Sequence, residues 1–351
     1  MNHAPEAPHC SIVTWFLGGM ICIPLLVAGN LGCLQKSANE VVVYTALDRE
    51  FSEPVFEDFT SATGIRVLPK YDTESTKTVG LYNAIAAESN RPRCDVFWNN
   101  EILNTLRLQQ ASLLAAFPSS EADAYPAMFR DPNGEWYGFA ARARVLIVNT
   151  DLVAEADRPG SVLDLTNPEW KNKIGMAKPL FGTTASHAAV LFEHFGPERA
   201  KEFFTKVHDN AQILAGNKRV AVSVARGQLA WGITDTDDAM IELEKGMPVT
   251  IVYPDQLDDQ MGTLFIPNCI SIINGGPNRE SAEKLIDYLL TGEIESKLAA
   301  GPSAQIPLRT DNTTKARVES PSTIKAMTID FQKAAGHWDE AAEFLQELFA
   351  Q

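Results

Sequence analysis

The chain has 351 residues, of which 45% are hydrophobic and 21% are charged. This composition is typical of a globular protein with room for two domains, and it excludes intrinsic disorder as the default state. The formal net charge of −15, without any run of lysines and arginines, excludes a nucleic-acid partner, which would need a clustered basic face.

The first element is an almost uncharged apolar segment from residue 11 to residue 31. We interpret residues 1–33 as an export signal. The signal ends in Asn30-Leu31-Gly32-Cys33, which resembles a bacterial lipobox with Asn30 in place of the usual leucine. It therefore predicts lipidation of Cys33 and a periplasmic, membrane-anchored lipoprotein. A retained helical anchor is the alternative, and it also leaves the rest of the chain outside the cytoplasm.

After a polar tether at residues 34–40, the β-branched run 41–45 predicts a buried parallel strand. Apolar residues at helical spacing follow, with Pro54 in the first turn and Gly64 at the stop, and they predict a helix. The remaining elements of this half are a strand at 65–68, a helix at 78–88 and a strand at 95–98.

A second series of alternating strands and helices follows residue 138. Its strands are predicted at 145–148, 174–177, 228–233 and 249–252, and its helices at 184–195, 197–208 and 218–226. The strand pattern 262–274 is interrupted by Pro267, which is typical of a connection between lobes. The tail 314–351 is predicted to be helical and amphipathic in places.

The alternation predicts an α/β fold with two lobes and mixed, mainly parallel sheets. Crossings near 140–144 and 262–267 would form a two-stranded hinge. The predicted boundaries are 41–141 plus 263–312 for lobe 1, and 142–262 plus 313–351 for lobe 2.

Three carboxylates, those of Asp235, Asp237 and Asp238, lie between an apolar strand and a helix-like stretch. At the carboxyl end of a strand such a cluster can face a cleft and hold a cation or a polyol. The alternative is a simple N-cap, with the other carboxylates complementing the helix dipole.

A second candidate is the helix start Gly182-Thr183-Thr184, whose N–H groups and hydroxyls suit an anion, unless a threonine is merely the N-cap. Arg142 and Arg144 alternate along a strand, so one is expected to reach the cleft and the other solvent. We assign Arg142 to the ligand. An anion beside an acidic cluster indicates either a metal with a bound anion or one ligand that carries both phosphate and hydroxyls.

Several segments resemble periplasmic ferric-iron-binding proteins, the substrate-binding components of ABC importers. They span about residues 41–309 in family order. The similar strings are Gly134-Glu-Trp-Tyr-Gly-Phe-Ala-Ala-Arg-Ala-Arg-Val-Leu-Ile-Val-Asn149, Leu163-Asp-Leu-Thr-Asn-Pro-Glu-Trp-Lys-Asn-Lys-Ile-Gly175, Gly227-Gln-Leu-Ala-Trp-Gly-Ile-Thr-Asp-Thr-Asp237, Ile266-Pro-Asn268 and Gln305-Ile-Pro-Leu-Arg309. The resemblance implies a type II periplasmic-binding-protein-like fold that closes on a ligand without catalysis.

The family's iron ligands do not carry over unchanged. Its tyrosine pair falls on Asp237 and Asp238, its histidine on Asp48, and its glutamate on Asn100, with Glu101 one step away. The anion turn falls near Gly182. Because carboxylates remain suitable ligands for hard cations, the resemblance implies metal binding by Asp48, Asp237 and Asp238.

We therefore predict a monomeric binding protein, not an enzyme, that captures ferric iron in an interlobe cleft and delivers it to an ABC permease in the inner membrane. The iron is cargo rather than a cofactor. A synergistic anion could accompany it. A phosphorylated sugar or another small anionic or polyol solute is the first alternative. An exported glycoside hydrolase that uses paired carboxylates is the second.

Overall fold

The computed structural model describes residues 39–72 and 76–349. The predicted signal, the lipidation site at Cys33 and most of the tether lie outside the described residues. Among those that are described, none of the helices combines the length and the apolar character needed to cross a bilayer.

The described chain alternates strands and helices, as the sequence predicts. The strands are β1 (Glu40–Thr45), β2 (Arg66–Tyr71), β3 (Val96–Asn99), β4 (Leu114–Ala115), β5 (Tyr137–Asn149), β6 (Ile174–Ala177), β7 (Gln212–Leu214), β8 (Trp231–Asp235), β9 (Val249–Val252) and β10 (Phe265–Ile273). The α-helices are α1 (Arg49–Thr63), α2 (Val79–Ala87), α3 (Leu103–Gln110), α4 (Gly182–Phe195), α5 (Pro197–Asn210), α6 (Asn217–Ala225), α7 (Thr236–Glu244), α8 (Arg279–Leu289), α9 (Gly292–Ala300), α10 (Phe331–Gly336) and α11 (Trp338–Phe349).

The strands form two sheet regions in the order β2-β1-β3-β10-β5-β8-β6-β7, with β4 beside β10 and β9 beside β5. Strand β1 runs parallel to β2 and β3, and β6 runs parallel to β7 and β8. Strands β5 and β10 are antiparallel to their neighbours. We call the part around β1, β2, β3 and β10 lobe 1, and the part around β6, β7 and β8 lobe 2.

Helix α1 shows why the local predictions hold. Its apolar side chains at Phe51, Val55 and Phe59 share one face and are buried against the lobe 1 sheet. Pro54 is the sixth residue of the helix and not, as predicted, in its first turn, so it removes one intrahelical hydrogen bond, and Gly64 ends the helix with a φ of 70°. The helix is therefore confirmed within two residues at each end.

Strand β5 joins the two lobes. Its first part pairs with β10 in lobe 1, and its second part, from Arg144 to Val148, pairs with β8 in lobe 2. The register between β5 and β10 shifts between Ile266 and Asn268, at the interrupting proline. Both predicted crossings are therefore present, and the polypeptide passes between the lobes at a two-stranded hinge.

The tail differs in part from the prediction. Residues 314–330 form turns and irregular backbone, and the helices begin only at α10. Helix α10 contacts both α3 and α4, while α11 packs on α4 and α5. Helix α11 thus belongs with lobe 2, but α10 bridges the lobes, and the exact lobe boundaries stay a prediction.

The second crossing depends on Gly262. This residue has a φ of 85°, and a Cβ added there would lie 2.8 Å from backbone atoms of Ala326 and Met327. We expect Gly262→Ala to lower the free energy of unfolding by about 3 kcal/mol, because it adds a backbone clash to the cost of the positive φ.

The matched control is Gly246→Ala, whose φ of 73° is similar but whose Cβ would meet nothing within 4 Å. It should cost about 1 kcal/mol. Urea unfolding of both variants measures the difference, and equal losses would contradict the proposed clash.

Candidate functional site

A cavity lies between the lobes at the carboxyl ends of the strands. The cavity has a volume of about 40 Å³, so it suits a small ligand. Its wall comes from both lobes and from the hinge strand, and it includes Leu47, Asp48, Lys77, Asn100, Arg142, Gly182, Thr183, Thr184, Gly216, Asn217, Lys218, Asp235, Asp237 and Asp238.

Helix starts dominate this wall. Helices α1, α4, α6 and α7 each begin at a residue of the wall or directly after one. The first N–H groups of a helix have no acceptor inside the helix, and the helix dipole places partial positive charge there. Lys77, Arg142 and Lys218 add full positive charges. This side of the site is therefore suited to an oxyanion.

Asp235 is committed to internal contacts. Its Oδ1 lies 2.7 Å from Nη1 of Arg144, and its Oδ2 accepts hydrogen bonds from the hydroxyl of Thr183 and from Nδ2 of Asn217. Burial would raise the pKa of this carboxyl, but the charges of Arg144 and Arg142 and the bond from Thr183 hold it below its usual value. Asp235 stands at the N-cap position of α7 but makes no side-chain cap.

Asp237 and Asp238, in the first turn of α7, are in the opposite situation. Oδ2 of Asp237 lies 3.7 Å from Nη1 of Arg142, and the carboxylate of Asp238 has no hydrogen-bonding or ionic partner among the described residues. Burial, opposed by Arg142 and assisted by Asp235, raises the pKa of Asp237 to about 6. Burial and the neighbouring Asp237 raise the pKa of Asp238 well above its usual value. Asp238 therefore lacks a positively charged partner among the described residues, and Arg142 compensates only part of the cost of burying Asp237.

On the lobe 1 side, Asp48 pairs with Lys77, with Oδ1 and Nζ 2.7 Å apart. Burial alone would raise the pKa of Asp48, but Lys77, Arg142 and Lys218 lower it overall. Arg142 donates to the main-chain carbonyl of Asn100, while Oδ1 of Asn100 is buried without a hydrogen-bond partner. The lobe 1 wall residue Asn100 therefore contains a buried acceptor without a partner.

The expectation for Arg142 and Arg144 was wrong in one respect. Neither reaches solvent, since the side chains are 2% and 1% exposed, because strand β5 is covered on both faces. Arg142 lines the cavity, as predicted, whereas Arg144 reaches Asp235 and, at 3.4 and 3.3 Å, the hydroxyls of Thr183 and Thr184. Arg144 therefore holds the wall residues Asp235, Thr183 and Thr184 in place and does not itself line the cavity.

Glu101 was placed with the ligand residues, but its buried side chain does not line the cavity. The preceding residue, Asn100, lines the cavity instead. Sequence reasoning missed Lys77, Asn217 and Lys218. Asn217 and Lys218 open helix α6 directly after strand β7, so the strand-to-helix pattern that identified Asp235 would also have found them.

The raised pKa values predict that Asp237 and Asp238 lower the free energy of unfolding of the ligand-free protein. A carboxyl with a raised pKa in the folded state opposes folding at neutral pH; for Asp237 this cost begins to fall as the pH drops below about 6 and is gone below the carboxyl's ordinary pKa. Asp238→Asn removes the charge at any pH. We expect it to raise the free energy of unfolding of the ligand-free protein by about 1–3 kcal/mol at pH 7 and to weaken its pH dependence.

Asp48→Asn is the control with the opposite sign. Its carboxyl has a lowered pKa because of Lys77, so its removal should destabilise the protein. Chemical unfolding between pH 5 and pH 8 measures both variants. If Asp238→Asn destabilises the protein as Asp48→Asn does, the carboxylate of Asp238 does not oppose folding, and the prediction is wrong.

Comparison with known proteins agrees with this architecture. Residues 104–335 match the model of the family described as bacterial extracellular solute-binding protein. The major ferric iron-binding protein of Neisseria meningitidis is 25% identical over 299 residues, covering 81% of this chain and 85% of the relative. A putative 2-aminoethylphosphonate-binding periplasmic protein of Salmonella typhimurium is 26% identical over 306 residues, covering 84% of each.

The crystal structure of apo ferric ion-binding protein A from Pasteurella haemolytica superposes with a TM-score of 0.78 at 26% identity, covering 89% of this chain and 98% of that one. The predicted two-lobe fold is thereby confirmed. The relatives are periplasmic solute-binding proteins of ABC importers rather than enzymes, which confirms that prediction and leaves the glycoside hydrolase alternative unsupported. From the match over residues 104–335, the chain belongs to the family of bacterial extracellular solute-binding proteins.

Proposed function

We propose that this chain captures a small phosphonate or phosphate that also carries an ammonium group, and delivers it to an ABC permease in the inner membrane. The observation that carries the proposal is that the cavity wall combines both signs of charge and leaves one carboxylate without a partner. Helix starts, Lys77, Arg142 and Lys218 provide the positive groups, and the carboxylate of Asp238 has no cationic partner among the described residues.

The charges within the wall support a ligand with a positive end. Asp235 is neutralised by Arg144, and Asp48 by Lys77. Asp238 remains without a partner among the described residues. A buried carboxylate that stays ionised needs a counter-charge, and an ammonium group supplies both the charge and hydrogen-bond donors.

The anionic end would meet the first N–H groups of α4 and the guanidinium of Arg142. Arg suits the planar, bidentate recognition of phosphate oxygens, and helix starts favour the doubly charged form. The Salmonella typhimurium relative, named for 2-aminoethylphosphonate, supports a ligand of this class. The small size of the closed cavity favours it over a phosphorylated sugar.

Ferric iron with an anion is the second candidate. Ligand atoms of Asp235, Asp237 and Asp238 lie within 4.8 Å of one another, and the Neisseria relative is named for ferric iron. It ranks second because Asp235, Asp48 and Asp237 already lie beside Arg144, Lys77 and Arg142. Of the carboxylates predicted to bind metal, only Asp238 has no cationic partner among the described residues. Lys77 and Arg142 would also repel a trivalent ion.

A titration calorimetry panel tests the choice. We expect the protein to bind 2-aminoethylphosphonate at least 100-fold more tightly than ethylphosphonate, which lacks the ammonium group, because the carboxylates would otherwise stay unpaired. Fructose 6-phosphate and ferric iron with phosphate complete the panel. Tight binding of ferric iron, without binding of the aminophosphonate, would replace the first proposal by the second.

Variants locate the ammonium subsite. Asp237→Asn with Asp238→Asn should abolish the preference for 2-aminoethylphosphonate over ethylphosphonate, and with it the ligand-induced rise in melting temperature. Asp259→Asn changes an exposed carboxylate away from the cleft and serves as the control. An unchanged preference in the double variant would mean that the acidic turn only caps α7.

We also propose that the protein is a monomer that is anchored to the membrane by a lipid on Cys33. We expect Cys33→Ser to move the protein from the membrane fraction to the soluble periplasm, because the lipid would have no attachment site. Cell fractionation, with mass spectrometry of the N-terminal peptide, measures this. Continued membrane association of the variant would favour the retained helical anchor.

A further inference from the structure

Glu101 has an unusual set of partners for a residue outside the cavity. It is fully buried in the turn between β3 and α3. Its carboxylate accepts hydrogen bonds from the N–H groups of Leu103, at 2.6 Å, and Asn104, at 3.1 Å, which open α3. Nδ2 of Asn99 donates a further bond of 2.6 Å. The carboxylate is thus fixed rigidly to lobe 1.

One further bond to this carboxylate comes from the other lobe. The hydroxyl of Ser186, on α4, donates to Oε2 of Glu101 over 2.7 Å. Ser186 is 1% exposed, and it lies one turn beyond the helix start that lines the cavity. The two lobes therefore share a buried hydrogen bond with a charged acceptor.

This contact differs from other contacts between the lobes. The pair of Lys218 and Glu50, 3.4 Å apart, joins side chains that are 57% and 55% exposed, so water and salt weaken it. The bond from the N–H of Gly182 to the carbonyl of Lys77 belongs to the main chain. A hydrogen bond to a buried carboxylate is stronger than an exposed one, and this bond joins side chains of the two lobes.

We propose that Glu101 and Ser186 form a closure latch. They are positioning residues that hold the closed state without contacting the ligand. The latch stabilises closure in the absence of ligand and slows ligand release in its presence, because opening must break the bond and rehydrate both groups. This inference rests on the proposed function only in taking the interlobe cavity as the ligand site.

The test compares Ser186→Ala with wild type in the full chain. We expect the release rate of 2-aminoethylphosphonate to rise about tenfold, with an association rate changed less than twofold. The preference for 2-aminoethylphosphonate over ethylphosphonate should not change, since the latch acts equally on both. In ligand-free protein, small-angle scattering should give a larger radius of gyration for the variant than for wild type.

Ser303→Ala is the matched control, because Ser303 is equally buried and its hydroxyl donates to the carbonyl of Leu298 within one lobe. Glu101→Gln is the second variant. It should act in the same direction, and the double variant should release ligand no faster than the more affected single one.

The possible results distinguish a failure of the latch proposal from a failure of the ligand assignment. If wild type does not bind 2-aminoethylphosphonate, the ligand assignment fails and the scattering of ligand-free protein still decides the latch. The latch is overturned if Ser186→Ala has the same radius of gyration as wild type and Ser303→Ala. If wild type binds the ligand, the release rates of the three proteins must also be equal for this conclusion. Additive effects of the two latch substitutions would also overturn it.

Discussion

The buried ion pair between Arg144 and Asp235 is the interaction on which the site depends. It joins the hinge strand β5 to the start of α7, and through the hydroxyl of Thr183 it also fixes the start of α4. Three elements of the wall are thereby held in one arrangement. Removing either charged partner would leave the other buried and uncompensated, which costs far more than an exposed pair. Because this ion pair holds the wall residues in place, the cavity can contain polar groups that have no partner.

The site divides its carboxylates by their environment. Asp235 and Asp48 have cationic partners and lowered pKa values, whereas Asp237 and Asp238 have raised ones. Asp237 and Asp238 are thus the carboxylates whose burial is least compensated, and a positive group placed beside them would lower that cost. Under the proposed function, a ligand that pairs with these carboxylates and also contacts the other lobe would favour closure.

Much of the fold could be predicted from the sequence, because strand and helix periods and the proline and glycine stops act locally. The helices α1 and α5 and the strands β6 and β9 are examples. The site was predictable where a strand ends and a helix begins, as at Asp235 and Thr183. The partners of these residues were not, since the pairing of Arg144 with Asp235 depends on the register of two strands that are distant in sequence.

Local rules also failed where burial depends on tertiary packing. Alternation along β5 predicted one exposed arginine, but every residue of β5 is buried because other elements cover both of its faces. Glu101 was assigned to the ligand because it adjoins Asn100. Its real partners, the start of α3 and Ser186 of the other lobe, follow from three-dimensional contacts that no spacing indicates.

The position of the two arginines on the hinge strand has a consequence for how new transport specificities can evolve. A substitution of Arg142 changes the cavity wall and the hinge strand at once. Asp237 and Asp238 lie in the first turn of α7, which packs on the same hinge strand. Exchanging these two residues changes the charge of the cavity wall without replacing a residue of the hinge strand, so the two positions can vary while the hinge strand keeps its sequence.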